Sequence, residues 1–380
     1  SAISQVVEQI GRVLAVFLLA DLLLPKGVEY AAAGAAFGPV AGAIVGLLVL
    51  VFMFFRRRTK FLYEVKRDKG KFVESPLHII YRLFAFAIPI TLGGLIAPIM
   101  NLADAAIVSR RLQEAGFTVK RAAELYGQLT GMAGPLINLP VVVTTALSAT
   151  LVPAISEAMA LKNGLLVAQR ADTGIRISMI FSLPAAVGMY VLAEPITVLL
   201  YKNAEAGVSL QTLSWGVIFL ALTQTTTGIL QGIGLTMLPV KNIVVGAIAK
   251  ILINYYLTSV PYINIRGAAL GTVIGYFIPA GLNFIAVARH TGAVVNIRQM
   301  ISKPILASFI MGIAVHFSYG ELLAKGFRPN HVTILSIAIG GMVYSIVLLL
   351  IGGLKRNDLK LLPGGNKLAS ILDKFGVFRR

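Results

Sequence analysis

The chain has no cysteine, a single tryptophan and little charge, with only 13% of its 380 residues being Asp, Glu, Lys or Arg. Without cysteine there is no disulfide framework, no thiolate metal site and no cysteine nucleophile. The four histidines, His78, His290, His316 and His331, are scattered, so no two stand at metal-ligand spacing. No Ser-His-acid set and no phosphate-cradling glycine loop with a lysine occurs, which leaves no grounds for an enzyme, a cofactor, a metal centre or an ATP motor on this chain. Acids are scarcest: 16 Asp and Glu against 34 Lys and Arg leave a net charge of +18. That excess sits in loops and a tail rather than on a water-soluble basic face, which argues against a nucleic-acid partner.

What the chain has is apolar length. Hydrophobic residues make up 57% and the mean hydropathy is +0.83, where soluble domains hold about 45–50% apolar and about 25% charged residues. A membrane helix needs about 20 mainly apolar residues. By that measure ten spans are predicted, at 3–24, 31–55, 79–108, 122–157, 172–199, 210–234, 240–259, 265–288, 301–320 and 332–353. Runs of this length exclude the short alternating segments of an outer-membrane barrel. The fold class is therefore an all-α polytopic membrane protein. An even number of spans puts both ends on one face, and that face collects 21 of the loop and tail cations against 9 on the other. The positive-inside rule makes it cytoplasmic. Arg110, Arg111, Lys120 and Arg121 dissent, because they fall in a short outer loop. The stretch RRRTKFLYEVKRDKGKF at 56–72 reads as a boundary, and both it and the basic tail after Leu354 suit anionic lipid surfaces.

Ionisable residues at bilayer depth cost at least about 2.5–3.5 kcal/mol each, so they are candidates for function. Seven qualify: Glu8, Arg12, Arg82, Asp104, Arg176, Glu194 and Lys250. Glu8 and Arg12 are four apart and can pair on one helix face. Lys250 lies mid-span in AIAKILINYY with Asn254 one turn on, and Asp104 lies in NLADAAIVSRRL beside Asn101. Four cations against three anions line an exporter of cationic drugs poorly and suit an anionic substrate. A lipid pyrophosphate fits, since guanidinium and ammonium groups both hold phosphate. The fourth span carries Pro135, Pro140 and Pro153 with Gly134 and is too long for a straight crossing, so a break or hinge is predicted there, next to Asn138. Broken helices survive in a bilayer only where protein or water covers the freed backbone. The GAALGTVIGY run at 267–276 supplies small residues for close helix packing.

The opening SAISQVVEQIGRVL, the stretch RLFAFAIPITLGGLIAPIMNLADAAIVSRRL, the helix LPVVVTTALSATLVPAISEAMA and the pair AIAKILINYYL…NIRGAALGTVIGY resemble the stage V sporulation protein B and polysaccharide-biosynthesis branch of the MOP superfamily. That branch is similar to the MurJ-like lipid II flippases. The resemblance runs from residue 1 to about 353. It implies fourteen helices in two six-helix lobes plus an extra pair, of which this chain holds the fifth to the fourteenth, so that four helices would precede Ser1. Residues 1–55 are then the end of the first lobe, 56–78 a cytoplasmic linker, 79–288 the second lobe, 289–353 the extra pair and 354–380 a basic cytoplasmic tail.

The resemblance further implies a flippase of the bacterial cytoplasmic membrane that works by alternating access around a cationic cavity, with the isoprenoid tail in a groove by the extra pair. Its partner would be a lipid-linked oligosaccharide pyrophosphate. Arg12 matches a recurrent family arginine, and Arg82 and Asp104 lie on a cavity-lining helix. Together with Lys250, Asn101 and Asn138 these are the substrate-binding candidates. Asp104 and Glu8 are the candidates for coupling to an ion or to the membrane potential. One departure is that GMAGPLINLP lacks the arginine expected in the fourth span, which leaves the glycan open. Two other readings stand beside the flippase: an ion-coupled exporter of organic cations that depends on Asp104, and a membrane scaffold that recruits cell-wall or spore-envelope enzymes through its tail.

Overall fold

The computed structural model describes residues 2–67, 75–292 and 297–353. Every regular element among them is helical. In chain order these are α1 (Ala2–Leu23), a short 3-10 turn, α2 (Val28–Arg67), α3 (Pro76–Glu114), α4 (Val119–Gly127), a π-helical stretch (Gln128–Ala133), α5 (Gly134–Ala160), α6 (Gly164–Val191) and α7 (Ala193–Tyr201). There follow α8 (Ala206–Leu213), α9 (Gly216–Gly232), α10 (Met237–Leu257), α11 (Ile265–Thr291), α12 (Ile297–Ala324) and α13 (Pro329–Leu350). The chain divides into two compact units, Ser1–Ile79 and Ile80–Arg380.

Among the described residues eight helices are long and apolar enough to cross a membrane, or nine when the bent pair α8 and α9 counts as one span. The 22-residue α1, which carries Glu8, Arg12 and Asp21, is the remaining one of the ten predicted segments. Three predicted boundaries move. The fifth span begins at Gly164 rather than 172, because the Asn163 side chain caps the helix by accepting from Leu166 N at 3.0 Å. It ends at Val191, and α7 is a separate helix. The sixth is bent by 46° between α8 and α9. The basic stretch after residue 55 continues α2 as helix to Arg67; residues 68–74 and the tail 354–380 lie outside the described residues.

In the first unit α1 and α2 form an antiparallel hairpin. Gly34, Gly38, Gly42 and Gly46 recur every four residues and face α1, so closely that a Cβ on Gly38 would stand 2.2 Å from Val16 Cγ2. Lipid tails are as apolar as leucine, so small residues and van der Waals contact, rather than water exclusion, drive such packing.

The second unit is built around buried apolar clusters. One joins Leu151 and Ile155 of α5 to Ile175 of α6 and Ile229 of α9. Gly232 admits Ile155, whose Cβ would lie 2.9 Å from an added methyl. Ser148 and Ser156 of α5 donate to Gln224 O and Gly232 O of α9 at 3.0 and 2.9 Å. Interhelical hydrogen bonds of this kind contribute about 0.6 kcal/mol each in membranes. Another cluster joins α6, α12 and α13, and there the buried Tyr344 hydroxyl donates to Ile180 O at 2.6 Å.

Candidate functional site

α10 and α11 pack as tightly as the first hairpin. Gly267, Gly271 and Gly275 of α11 face α10, and an added Cβ would lie 2.6 Å from Leu257 C, 2.0 Å from Asn254 Oδ1 and 3.0 Å from Lys250 Cβ respectively. This stripe brings the α10 backbone close and leaves room beside α11 for the Asn254 and Lys250 side chains, which lie against Gly271 and Gly275. Both meet Asp104 of α3. Lys250 Nζ donates to Asp104 Oδ2 at 2.5 Å, and Asn254 Nδ2 donates to Asp104 Oδ1 at 2.8 Å. Asp104 is buried and the Lys250 side chain is 13% exposed. A carboxylate with two donors and an ammonium beside it pairs charge at depth, where a lone ion is most costly.

Lys250 also lines a cavity of about 410 Å³ enclosed by α3, α9, α10 and α11. Asn101, Thr223, Gln224, Thr227 and Gln231 give it polar walls, beside apolar ones such as Met100 and Ile243. Asn242 Nδ2 donates to Asn283 Oδ1 at 2.7 Å and Asn283 Nδ2 to Thr227 Oγ1 at 3.3 Å, a chain of neutral amides joining α10, α11 and α9. A search confined to ionisable residues passes these amides over; their signal is an Asn in each of two apolar runs.

On the opposite face of α9 a second space, of about 720 Å³, runs between α6, α9 and α12. Ile218, Phe219 and Leu222 line it from α9, and Leu183, Phe309 and Ile313 face them. Its walls are almost entirely apolar. The helix α9 thus separates a cavity of mixed lining, with Lys250 on its wall, from an almost wholly apolar groove.

Of the other predicted residues in the second unit, Arg82, Arg176, Glu194 and Asn138 do not line the Lys250 cavity. Glu8 and Arg12 pair within α1 at 3.3 Å, both partly exposed. Arg82 lies on an exposed stretch of α3, and Arg176 is buried in α6. Glu194 opens α7 on an exposed face. Asn138 is exposed and returns its amide to Gly134 O of its own helix at 3.1 Å.

The fourth span is not interrupted where a break was predicted. Val119–Ala160 runs as one helical path in which Gln128–Ala133 widens to π geometry, and Pro140 and Pro153 sit inside α5 without ending it. Gly134 N reaches back five residues to Leu129 O. The reason is Pro135, whose ring lacks an N–H and clashes with the carbonyl four residues earlier in α geometry; widening the turn before it relieves that clash.

The dissenting cations at the end of α3 and the start of α4 are largely engaged. Arg110 pairs with Glu114 at 3.5 Å. Arg111 pairs with Glu114, donates Nε to Tyr255 O at 2.7 Å and lies 3.9 Å over the Tyr255 ring, tying the end of α3 to the end of α10. Arg121 pairs with Glu124 and with Glu205, and Gln128 Nε2 donates to Glu205 Oε2 at 2.8 Å. Glu205 is thereby held below the usual carboxylate range, mainly by the Gln128 hydrogen bond and further by Arg121, against the opposing effect of burial.

Comparison with known proteins places this geometry. A family model described as "Polysaccharide biosynthesis protein" matches residues 1–159, and one described as "MatE" matches residues 130–256. The chain is similar to stage V sporulation protein B of Bacillus subtilis (strain 168), at 28% identity over 371 residues, covering 95% of this chain and 69% of the relative. It is similar to the lipid II flippase MurJ of the same organism, at 29% identity over 390 residues, covering 96% and 69%. Its fold resembles the solved inward closed conformation of lipid II flippase MurJ with a TM-score of 0.63 at 17% identity, over 92% of this chain and 67% of that one. The chain is a multi-pass membrane protein similar in sequence to the polysaccharide-biosynthesis and MurJ-like members of the MOP superfamily, and similar in fold to MurJ.

Proposed function

We propose that the protein is a flippase that carries an undecaprenyl-pyrophosphate-linked saccharide from the cytoplasmic to the outer leaflet of the bacterial cytoplasmic membrane, by exposing its site to the two faces in alternation. The observation that carries this reading is the shared wall of α9, with a cavity lined by Lys250 and by polar side chains of α9 on one side and an almost wholly apolar groove on the other. A substrate that fits both is amphipathic and anionic: a phosphate-bearing head for the cation and a polyprenyl tail for the groove. The kinship with lipid II flippase MurJ and stage V sporulation protein B supports the same class of substrate. The basic stretch after residue 55 and the basic tail sit on the cytoplasmic side in this reading and attract anionic lipid. Arg12, Arg82, Lys250 and Asp104, with Asn101 and Asn138, are the residues assigned to substrate. Asp104 and Glu8 are those assigned to coupling, whether to an ion or to the membrane potential.

The test is outer-leaflet labelling of the lipid-linked precursor in cells carrying Arg12→Ala, Arg82→Ala or Lys250→Ala. A loss of at least about tenfold in Lys250→Ala is expected, the size of losing one charge-assisted contact. Wild-type rates in all three variants would refute the cationic mechanism. The reading as an exporter of organic cations has the MatE match at 130–256 in its favour. It requires a carboxylate open to a cation, whereas Asp104 is held by Lys250. Drug efflux lost in Asp104→Asn and kept in the Arg12 variant would establish it instead.

A further inference from the structure

The two glycine-striped hairpins are copies of one another. GAAFGPVAG at 34–42 and GAALGTVIG at 267–275 share six of nine residues, including all three glycines, and IGRVLAVFLL at 10–19 aligns with IAKILINYYL at 248–257. The contacts repeat in the same register. Gly34 faces Leu19 as Gly267 faces Leu257; Gly38 faces Val16 and Arg12 O as Gly271 faces Asn254 and Lys250 O; Gly42 faces Arg12 Cβ as Gly275 faces Lys250 Cβ. Arg12 and Lys250 therefore occupy the same position in two copies of one device.

One more pair shows why their counter-ions differ. In the first copy the next contact sets Glu8 against Gly46, with Glu8 Cβ 3.2 Å from an added methyl. In the second the same two positions are Gly246 and Pro279, and a Cβ on Gly246 would meet Pro279 Cδ at 2.6 Å. The bulk has changed sides, so the second copy has no room for an acid on its own helix. Its carboxylate comes from α3 as Asp104, and Asn254, in the place of Val16, holds that carboxylate. In both copies the cation keeps donor capacity. Arg12 Nε is buried without an acceptor, and Lys250 has three N–H groups and faces the cavity.

We propose that the repeated hairpin is an anion-binding device present twice in this chain, and that Asp104 masks Lys250, the cation of the second copy, until a phosphate group takes its place. This rests on the reading of the substrate as a pyrophosphate-linked lipid and adds a consequence to it. Glu8 and Arg12 share one helix, whereas Asp104 and Lys250 join α3 to α10. Phosphate binding at the second copy therefore removes the buried tie between α3 and the hairpin and leaves the one made by Arg111 at the helix ends, while at the first copy it frees no helix from another.

The experiment is titration of the purified full chain with inorganic pyrophosphate, read by calorimetry. Asp104→Asn removes the competing charge and keeps the hydrogen-bonding shape, so affinity rises by at least about tenfold, as for close charge pairs elsewhere. The gain survives in Asp104→Asn with Lys250→Arg and vanishes in Asp104→Asn with Lys250→Met. An Asp104→Asn affinity equal to wild type, or a gain that persists without the cation, overturns the proposal. The Lys250→Arg and Asp104→Asn forms keep the polar partners, so the comparison holds even where the methionine variant does not fold. Pyrophosphate binding that follows this pattern in a protein that flips no lipid-linked saccharide refutes the substrate reading and upholds the anion site. Flipping that proceeds while pyrophosphate binding ignores Asp104 and Lys250 does the reverse.

Discussion

Asp104 Oδ2 and Lys250 Nζ stand 2.5 Å apart although 146 residues separate them in the chain. They are the buried joint between α3 and the α10–α11 hairpin, beside the exposed tie of Arg111 to Tyr255, and both side chains are nearly enclosed. Removing one partner of a buried ion pair strands the other, whereas removing both charges together can be nearly neutral. Asp104→Ala or Lys250→Ala alone is expected to cost about 3–5 kcal/mol. Asp104→Leu with Lys250→Met recovers most of it, as read by thermal unfolding in detergent.

The glycine stripe of α11 makes that joint possible. Gly271→Ala puts a methyl 2.0 Å from Asn254 Oδ1 and is expected to destabilise by about 1–3 kcal/mol, the usual cost of overpacking. Gly281 lies on the same helix with nothing within 4 Å. Gly281→Ala is therefore neutral or slightly stabilising on helix propensity alone, and unfolding of the two variants side by side separates packing from propensity.

Glu205 carries a pH signature. Its folded pKa is lowered, so its contribution to stability is fully present above the ordinary carboxylate value of 4.5 and is lost as pH falls through the depressed folded value. Wild type should therefore exceed Glu205→Gln in melting temperature at pH 7, with the gap closing as the medium is acidified below that value. A gap that stays constant down to pH 3 would remove Glu205 from the account.

The groove beside α12 should take the apolar part of the substrate. A photo-crosslinking amino acid at Phe309, which lines the groove, is expected to capture a polyprenyl-bearing precursor in preference to one at Val142 on α5, which is as exposed but does not line the groove. Equal capture at both would mean that Phe309 reports ordinary lipid contact.

Much of this was legible in the sequence because it is local. Apolar run length locates the helices, and a spacing of four pairs Glu8 with Arg12 without knowledge of the fold. The glycine-rich run at 267–276 announces close packing, though not the helix it faces. Asp104 and Lys250 each stand out as charges at depth, but only the fold makes them partners. The early start of α6 is hidden because Gln169, Arg170, Asp172 and Thr173 interrupt its apolar run, while the Asn163 cap starts the helix ahead of them. Glu205 passes as a solvated loop acid. The one hint of its role is the surplus of cations around the α3–α4 connection, which includes its partner Arg121.

The widened turn at Gln128–Ala133 sets the angular phase between the two halves of a 42-residue helix. One residue in an α-helix advances the chain by about 100°, so shortening this stretch by a single residue would swing its upstream half to a different side. Arg121 and Gln128 would turn away from Glu205, while Leu147, Leu151 and Ile155 kept their seats in the core. Ala122, Leu125 and Leu129 of the upstream half are buried in a core cluster of their own and would leave it in the same swing, so the widened turn is what lets both halves of the helix keep their seats at once.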